Sequence, residues 1–320
     1  MFELLSAGYK TERGFMKKGE IYEGIIEKVE FPNKGFVWVD DQKVIVKNGI
    51  PGQKVRFMIN KKRSGRAEGR LLEVLEKSPL ETREPACQEF PACGGCMYQT
   101  MSYAAQKKMK ERQVRELLDG AVKESLAKIG QSSDEIEIAE STDSLYHWDG
   151  IYGSPIEFGY RNKMEFSFGD AYKDGPLALG MHKRGSFYDI VTVDQCQIVE
   201  EDFRKILSAV LDFAAETGFP YYHKLCHTGF WRHLLVRKGL KTGEVLVAVV
   251  TSSQNSADMN ALAERLKALS LDGELVGVLH IINDSLADVV QCDESRTLFG
   301  RDFLYEELLG LKFKISPFSF

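Results

Sequence analysis

The sequence predicts a β-rich, multidomain protein. An N-terminal barrel of the OB kind leads, a cysteine loop and helix follow, and an α+β region with a largely antiparallel sheet completes it. Three observations predict this. Five short strand-like segments crowd into fewer than 60 residues with no helical pattern between them. Three cysteines then fall within ten residues. From Gly159 onward strands and helices mix without the strict alternation of a doubly wound sheet. At 320 residues, two or three domains are expected, at roughly 100–200 residues each. The boundaries predicted are 15–76 for the barrel, 77–130 for the cysteine loop and helix, and 131–320 for the α+β region.

Barrel strands are expected at Glu20–Val29, Gly35–Val39, Val44–Val46, Lys54–Ile59 and Gly69–Leu75, each rich in β-branched or aromatic residues. Turns are supplied by Phe31-Pro32-Asn33-Lys34-Gly35 and by Asn48-Gly49-Ile50-Pro51-Gly52. Ser78-Pro79 and Glu84-Pro85 bracket a linker. A helix is predicted over Met97–Leu118, where Met101, Ala104, Ala105 and then Val114, Leu117, Leu118 follow helical spacing. Further strands are expected at Tyr160–Phe168, Leu177–Met181, Asp189–Val193, His233–Arg237, Glu244–Val250, Val276–Ile282 and Lys312–Ile315. Helices are expected at Asp202–Glu216 and Ser256–Ser270.

Composition narrows the class. Hydrophobic residues make up 43% and charged residues 28%, ordinary values for a globular protein. The longest apolar run, Val245–Val250, falls far short of the about 20 residues of a membrane span. Met1–Gly14 has no apolar signal segment. A cytoplasmic protein without membrane association is therefore expected, and a monomer. The net charge of −5 argues against a uniformly basic nucleic-acid binder, yet Phe15–Leu75 holds 13 Lys or Arg against 8 Asp or Glu. That basic module suggests a phosphate-bearing partner.

Cys87, Cys93 and Cys96 form a C-x5-C-x2-C run with Gly94-Gly95 in the short gap. Adjacent glycines let backbone wrap closely around a bulky centre and turn amides toward sulfur. Clustering of this kind favours a metal over disulfides, and Cys196 is the best candidate for a fourth thiolate. Four thiolates suit zinc or an iron–sulfur cluster, and ligand type alone does not decide between them. Cys226 and Cys292 stand apart and read as buried small hydrophobes.

Cys87-x5-Cys93-Gly94-Gly95-Cys96-x-Tyr98-Gln99, with Tyr103, Gln106 and Lys107 behind it, resembles the signature of the RNA (uracil-5-)-methyltransferases. Gly159-Tyr160-Arg161-Asn162-Lys163, Gly180-Met181-His182-Lys183-Arg184, Asp194-Gln195-Cys196, Trp231 to Arg237 and Ile315 to Phe320 extend the match over nearly the whole chain. The barrel is similar to the family's TRAM module, an OB-like RNA-binding domain. The resemblance implies a 4Fe–4S cluster on Cys87, Cys93, Cys96 and Cys196. It also implies methyl transfer from S-adenosylmethionine to C5 of a uridine through a cysteine–C6 adduct, in 23S rRNA first and tRNA second.

In that family the cofactor sheet, the nucleophilic cysteine and the base correspond to sequence beyond Phe320. No G-x-G-x-x-G loop follows a strand in 1–320. A Rossmann-like methyltransferase domain is therefore expected to be absent, no catalytic residue is expected in the chain, and the chain alone is expected to be inactive. The competing expectation is a stand-alone iron–sulfur or zinc RNA-binding module. The residues expected to contact RNA are Lys61, Lys62, Arg63 and Arg66 in a basic turn, Arg161 and Lys163 on one strand face, Arg232 and Arg237, and Phe320 as an aromatic for an extruded base. Phe36 and Trp38 read as barrel core or further stacking rings. Lys183 and Arg184 read as a solvated turn.

Overall fold

The structure, a computed structural model, describes residues 16–63, 66–129, 146–286 and 292–319. The chain divides into two compact units. One comprises Met1–Glu84 with Thr100–Gly153, and the other Pro85–Gln99 with Ser154–Phe320. The cysteine loop and the helix after it, grouped as 77–130 from sequence, thus fall in different units.

The first unit is built on β1 (Ile21–Ile25), β2 (Lys28–Glu30), β3 (Lys34–Val39), β4 (Gln42–Lys47), β5 (Lys54–Arg63) and β6 (Arg66–Glu76). Their order is β1-β5-β6-β4-β3-β2, with β4 and β6 parallel and the remaining pairs antiparallel. If β1 and β2 are taken as two halves of one bent strand, this is OB strand order. Period-two alternation explains the core: Val44 and Val46 on β4, and Val55, Phe57 and Ile59 on β5, are fully buried. Gly69 on β6 is required there, because a Cβ would stand 2.6 Å from the Phe57 ring.

Helix α1 runs Tyr103–Ile129, later and longer than expected. Ser102 fixes its start by accepting the Ala105 amide at 3.2 Å, and Met101 lies before the helix, fully buried, in a bridge to Glu81. The expected apolar stripe is also corrected. Val114, Leu117 and Leu118 are exposed, while Met109 and Gln113 form the buried face and Gln113 donates to Val29 O at 2.9 Å.

The second unit holds β7 (Lys163–Asp170), β8 (Leu177–His182), β9 (Ile190–Thr192), α2 (Glu201–Thr217), β10 (Trp231–Lys238), β11 (Glu244–Thr251), α3 (Met259–Lys267), β12 (Glu274–Ile282) and β13 (Glu294–Gly300). A hairpin, β14 (Leu304–Leu308) and β15 (Leu311–Ile315), follows. The sheet order is β13-β12-β11-β10-β7-β8-β9, antiparallel except for β11–β12, which α3 connects. Both faces of β11 are covered. Val245, Val247 and Val249 meet α2 and α3, and Leu246, Ala248 and Val250 pack on the other side. This double burial explains its unbroken apolar run.

Phe203, Ile206, Leu207, Val210 and Ala214 give α2 its buried stripe. Asp258 caps α3 by accepting the Asn260 and Ala261 amides at 3.1 Å, so the helix starts there and not at Ser256. Strands β13 and β14 were not expected from sequence. Among the described residues no helix is long and apolar enough to cross a membrane.

Candidate functional site

The loop bearing Cys87, Cys93 and Cys96 is stitched to the turn between β8 and β9. Gly94 N–H donates to His182 O at 2.9 Å, Arg184 N–H donates to Ala92 O at 2.8 Å, and Cys93 bridges Lys183. A Cβ on Gly94 would lie 2.8 Å from the His182 oxygen, so a side chain there would push the strands apart. Gly95 turns its amide onto Cys93 Sγ at 3.3 Å. Cys87 N–H donates to the Gln99 side-chain oxygen at 3.1 Å and closes the loop's base.

Cys196 reaches the same place from the segment between β9 and α2, its amide donating to Val193 O at 3.1 Å. The four cysteines line one cavity of about 150 Å³, with Tyr160 and Arg161 on its wall. All four are free thiols, and Cys87 and Cys196 are buried. Burial pushes the Cys196 thiol up to about 11, and the three neighbouring sulfurs push the same way against a hydrogen bond from the Ile198 amide. Burial also raises Cys93, which the Gly95 amide and Arg184 partly offset.

Among the described residues, no group of three or more His, Cys, Asp or Glu side chains is arranged to hold a metal ion. A single zinc, with Zn–S about 2.3 Å, would draw tetrahedral sulfurs to within about 3.8 Å of one another.

Arg184 is the residue that sequence reasoning missed. It is not a solvated turn residue. Its guanidinium lies 5.1 Å from the Phe90 ring centre and donates to Cys96 O. Burial lowers its pKa, against the pull of the Cys93 and Cys96 sulfurs. Its place in Gly180-Met181-His182-Lys183-Arg184 was the available signal. An arginine in a turn reads as solvated until the loop opposite is known.

The residues expected at RNA scatter. Lys61, Lys62 and Arg66 are exposed at the β5–β6 turn, where Lys61 faces Glu68 at 3.7 Å and Lys62 donates to Met16 O at 3.1 Å. The Arg63 side chain and Phe320 lie outside the described residues. Arg161 precedes β7 instead of sharing a strand with Lys163, and its side chain donates to Lys163 O at 3.0 Å beside the thiol cavity. Lys163 pairs with Glu165 at 2.8 Å.

Arg232 and Arg237, expected to contact RNA, are buried on β10. Arg232 donates to Asn283 O at 2.7 Å and Ser285 O at 2.8 Å under the Tyr222 ring. Arg237 donates to Pro317 O at 2.9 Å and to Ser319 O, which ties down the segment leading to Phe320. Cys226 and Cys292, expected to be buried, are both exposed. Thr228 hydrogen-bonds Cys226 and lowers its pKa. Phe36 is core and Trp38 is half exposed.

The OB-ordered barrel, the mixed sheet and the four-cysteine cavity admit more than one function, and comparison with known proteins narrows them. No protein-family model matches the chain. It is 44% identical over 305 residues to an uncharacterized RNA methyltransferase of Clostridium tetani, a match spanning 95% of this chain and 62% of that protein. An RNA methyltransferase of Caldanaerobacter subterraneus subsp. tengcongensis is 43% identical over 95% of this chain and 63% of its own length. The chain therefore spans about 62% of the length of these curated relatives. Among solved structures, the Pyrococcus abyssi tRNA (uracil-54, C5)-methyltransferase in complex with S-adenosyl-L-homocysteine is similar, with a TM-score of 0.62 and 22% identity. That match covers 93% of this chain and 60% of that one.

Over 95% of its length the chain is thus similar to proteins named RNA methyltransferases, and its fold is like that of the Pyrococcus abyssi enzyme. The match over 93% of the chain overturns the expected fold class, which declared a methyltransferase domain absent. That expectation rested on the resemblance, which set the family's cofactor sheet beyond Phe320, and on a missing G-x-G-x-x-G loop, a fingerprint of pyrophosphate cradling and not of methyl transfer as such.

Proposed function

We propose that the protein methylates C5 of a uridine in RNA with S-adenosylmethionine as methyl donor, 23S rRNA being the first choice of substrate and tRNA the second. Cys87, Cys93, Cys96 and Cys196 would hold a 4Fe–4S cluster, fastening the 85–99 loop to the segment between β9 and α2. One observation carries the reading: four thiols from two distant parts of the sequence line one cavity in a chain whose relatives are RNA methyltransferases. Reduced thiols suit the cytoplasm, and nothing in the reading requires more than a monomer. The exposed Lys61, Lys62 and Arg66 supply positive charge for the phosphate backbone. The uridine must leave its stack to be reached, so RNA-gripping surface beside the reacting base is a mechanical requirement.

Two measurements test the proposal. The protein is incubated with S-adenosylmethionine and unmodified ribosomal or transfer RNA, and nucleosides are analysed by mass spectrometry; 5-methyluridine is expected, and a methyl group on another nucleoside overturns the reading. Anaerobically prepared protein is assayed for metal and sulfide. About four irons per chain are expected, lost in Cys93→Ser, and one zinc without sulfide overturns the cluster.

A further inference from the structure

We infer that the tip of the β8–β9 hairpin is a stacking contact for single-stranded RNA, with Phe187 and Tyr188 as platforms and Lys183 and Lys224 beside them for phosphates. The inference rests on the proposed RNA substrate and adds to it a surface that neither the basic turn nor the cysteine cavity provides.

Phe187 is 85% exposed and Tyr188 58% exposed. Adjacent aromatic rings at such exposure are unusual on a protein with this much core. The turn presenting them is framed by hydrogen bonds. Lys183 N–H donates to Asp189 O at 2.8 Å and Ser186 N–H donates to Lys183 O at 3.0 Å. The Ser186 hydroxyl accepts the Tyr188 and Asp189 amides at 3.3 and 3.2 Å. Lys224 reaches across to donate to Phe187 O at 3.4 Å, and Lys183 is exposed.

The base of this hairpin is the strip that pairs with the cysteine loop through His182, Lys183 and Arg184. Cavity and aromatic tip therefore share one frame, so order in the cysteine loop carries over to the display of the rings. Two exposed rings, with exposed Lys183 at the start of the same turn and Lys224 bonded to the Phe187 carbonyl, match the bases and phosphates of an unpaired strand.

The test titrates the full chain with a labelled, uridine-rich single-stranded RNA. Phe187→Ala and Tyr188→Ala should each weaken binding by about 5- to 150-fold with the salt slope unchanged. Phe187→Trp should retain binding. Lys183→Gln should make the slope of log affinity against log salt shallower by about 0.7. RNA carrying 5-bromouridine should photocrosslink to the peptide containing Phe187 and Tyr188. The inference is overturned if the Phe187→Ala/Tyr188→Ala protein binds within about twofold of the unchanged chain, or if the crosslinks fall elsewhere. If the unchanged chain binds no RNA, the proposed substrate falls as well; binding that survives the double substitution removes only the hairpin's part.

Discussion

Replacing Arg184 by Met keeps the aliphatic stem and removes the guanidinium that holds the cysteine loop shut. Two interactions are lost. The charged hydrogen bond to Cys96 O is worth about 1.5–3 kcal/mol. The contact with the Phe90 ring is worth about 0.5–1 kcal/mol at a partly exposed site. Local closure of the 85–99 loop should therefore weaken by about 2–4 kcal/mol, which is about 30- to 900-fold in the opening equilibrium. The Gly94 amide, bonded to His182 O, reports that opening directly by hydrogen exchange. The Ile59 amide, bonded to Glu20 O in the barrel, serves as the control. Exchange at Gly94 should accelerate across that range while Ile59 is unchanged. If Gly94 exchange rises less than about threefold, Arg184 does not hold the loop and its geometry is incidental.

Further predictions concern stability and charge. Asp202 is fully buried, pairs with Lys238 at 2.7 Å and accepts the Asp272 and Gly273 amides. Burial would raise its carboxyl, yet these partners hold it below the usual value. Its contribution is thus present above about pH 3.9 and lost as pH falls through the lower folded value. Burial lowers the Lys238 ammonium, but Asp202 and Glu200 raise it further, so its contribution is lost only as pH rises through a value above 10.5.

Urea midpoints should stay flat between about pH 5 and 9, and Asp202→Asn should cost about 3–5 kcal/mol; an unchanged midpoint would refute the buried pair. Phe57→Ala, facing Gly69 in the barrel, should cost about 3–5 kcal/mol in calorimetry of the intact chain, and a loss under about 1 kcal/mol would show that the barrel core is loosely packed. Neutralising Lys61, Lys62 and Arg66 together should lower RNA affinity at low salt and flatten its salt dependence. An unaltered slope would show that the β5–β6 turn does not meet phosphate.

The basic barrel shows how far sequence reaches. Val55, Phe57 and Ile59 alternate with Lys54 and Arg56, and a period of two decides which face is buried before any partner strand is known. Helix α1 shows the limit. Val114, Leu117 and Leu118 carry perfect helical spacing and are exposed, while a polar Gln113 is buried against a barrel carbonyl. Spacing defines a stripe, but a stripe is buried only where another element lies opposite. Arg232 and Arg237 teach the same lesson for charge. Their sequence context is that of a basic strand, and only the carbonyls of residues 283, 285, 317 and 319 reveal that both are spent inside the fold.

The amino-acid order alone determined the local objects: the strands of the barrel, the C-x5-C-x2-C loop with its two glycines, and the amphipathic helix α2. These depend on neighbours a few residues away, so period, turn chemistry and spacing suffice. The tertiary structure decided which distant groups meet. It brought Cys196 to a cavity shared with Cys87, about a hundred residues earlier, and set Arg184 over Phe90. It also left Phe187 and Tyr188 in solvent. Such meetings follow from how sheet and loop pack, a balance of burial and hydrogen bonding summed over the whole unit that no short window of sequence contains.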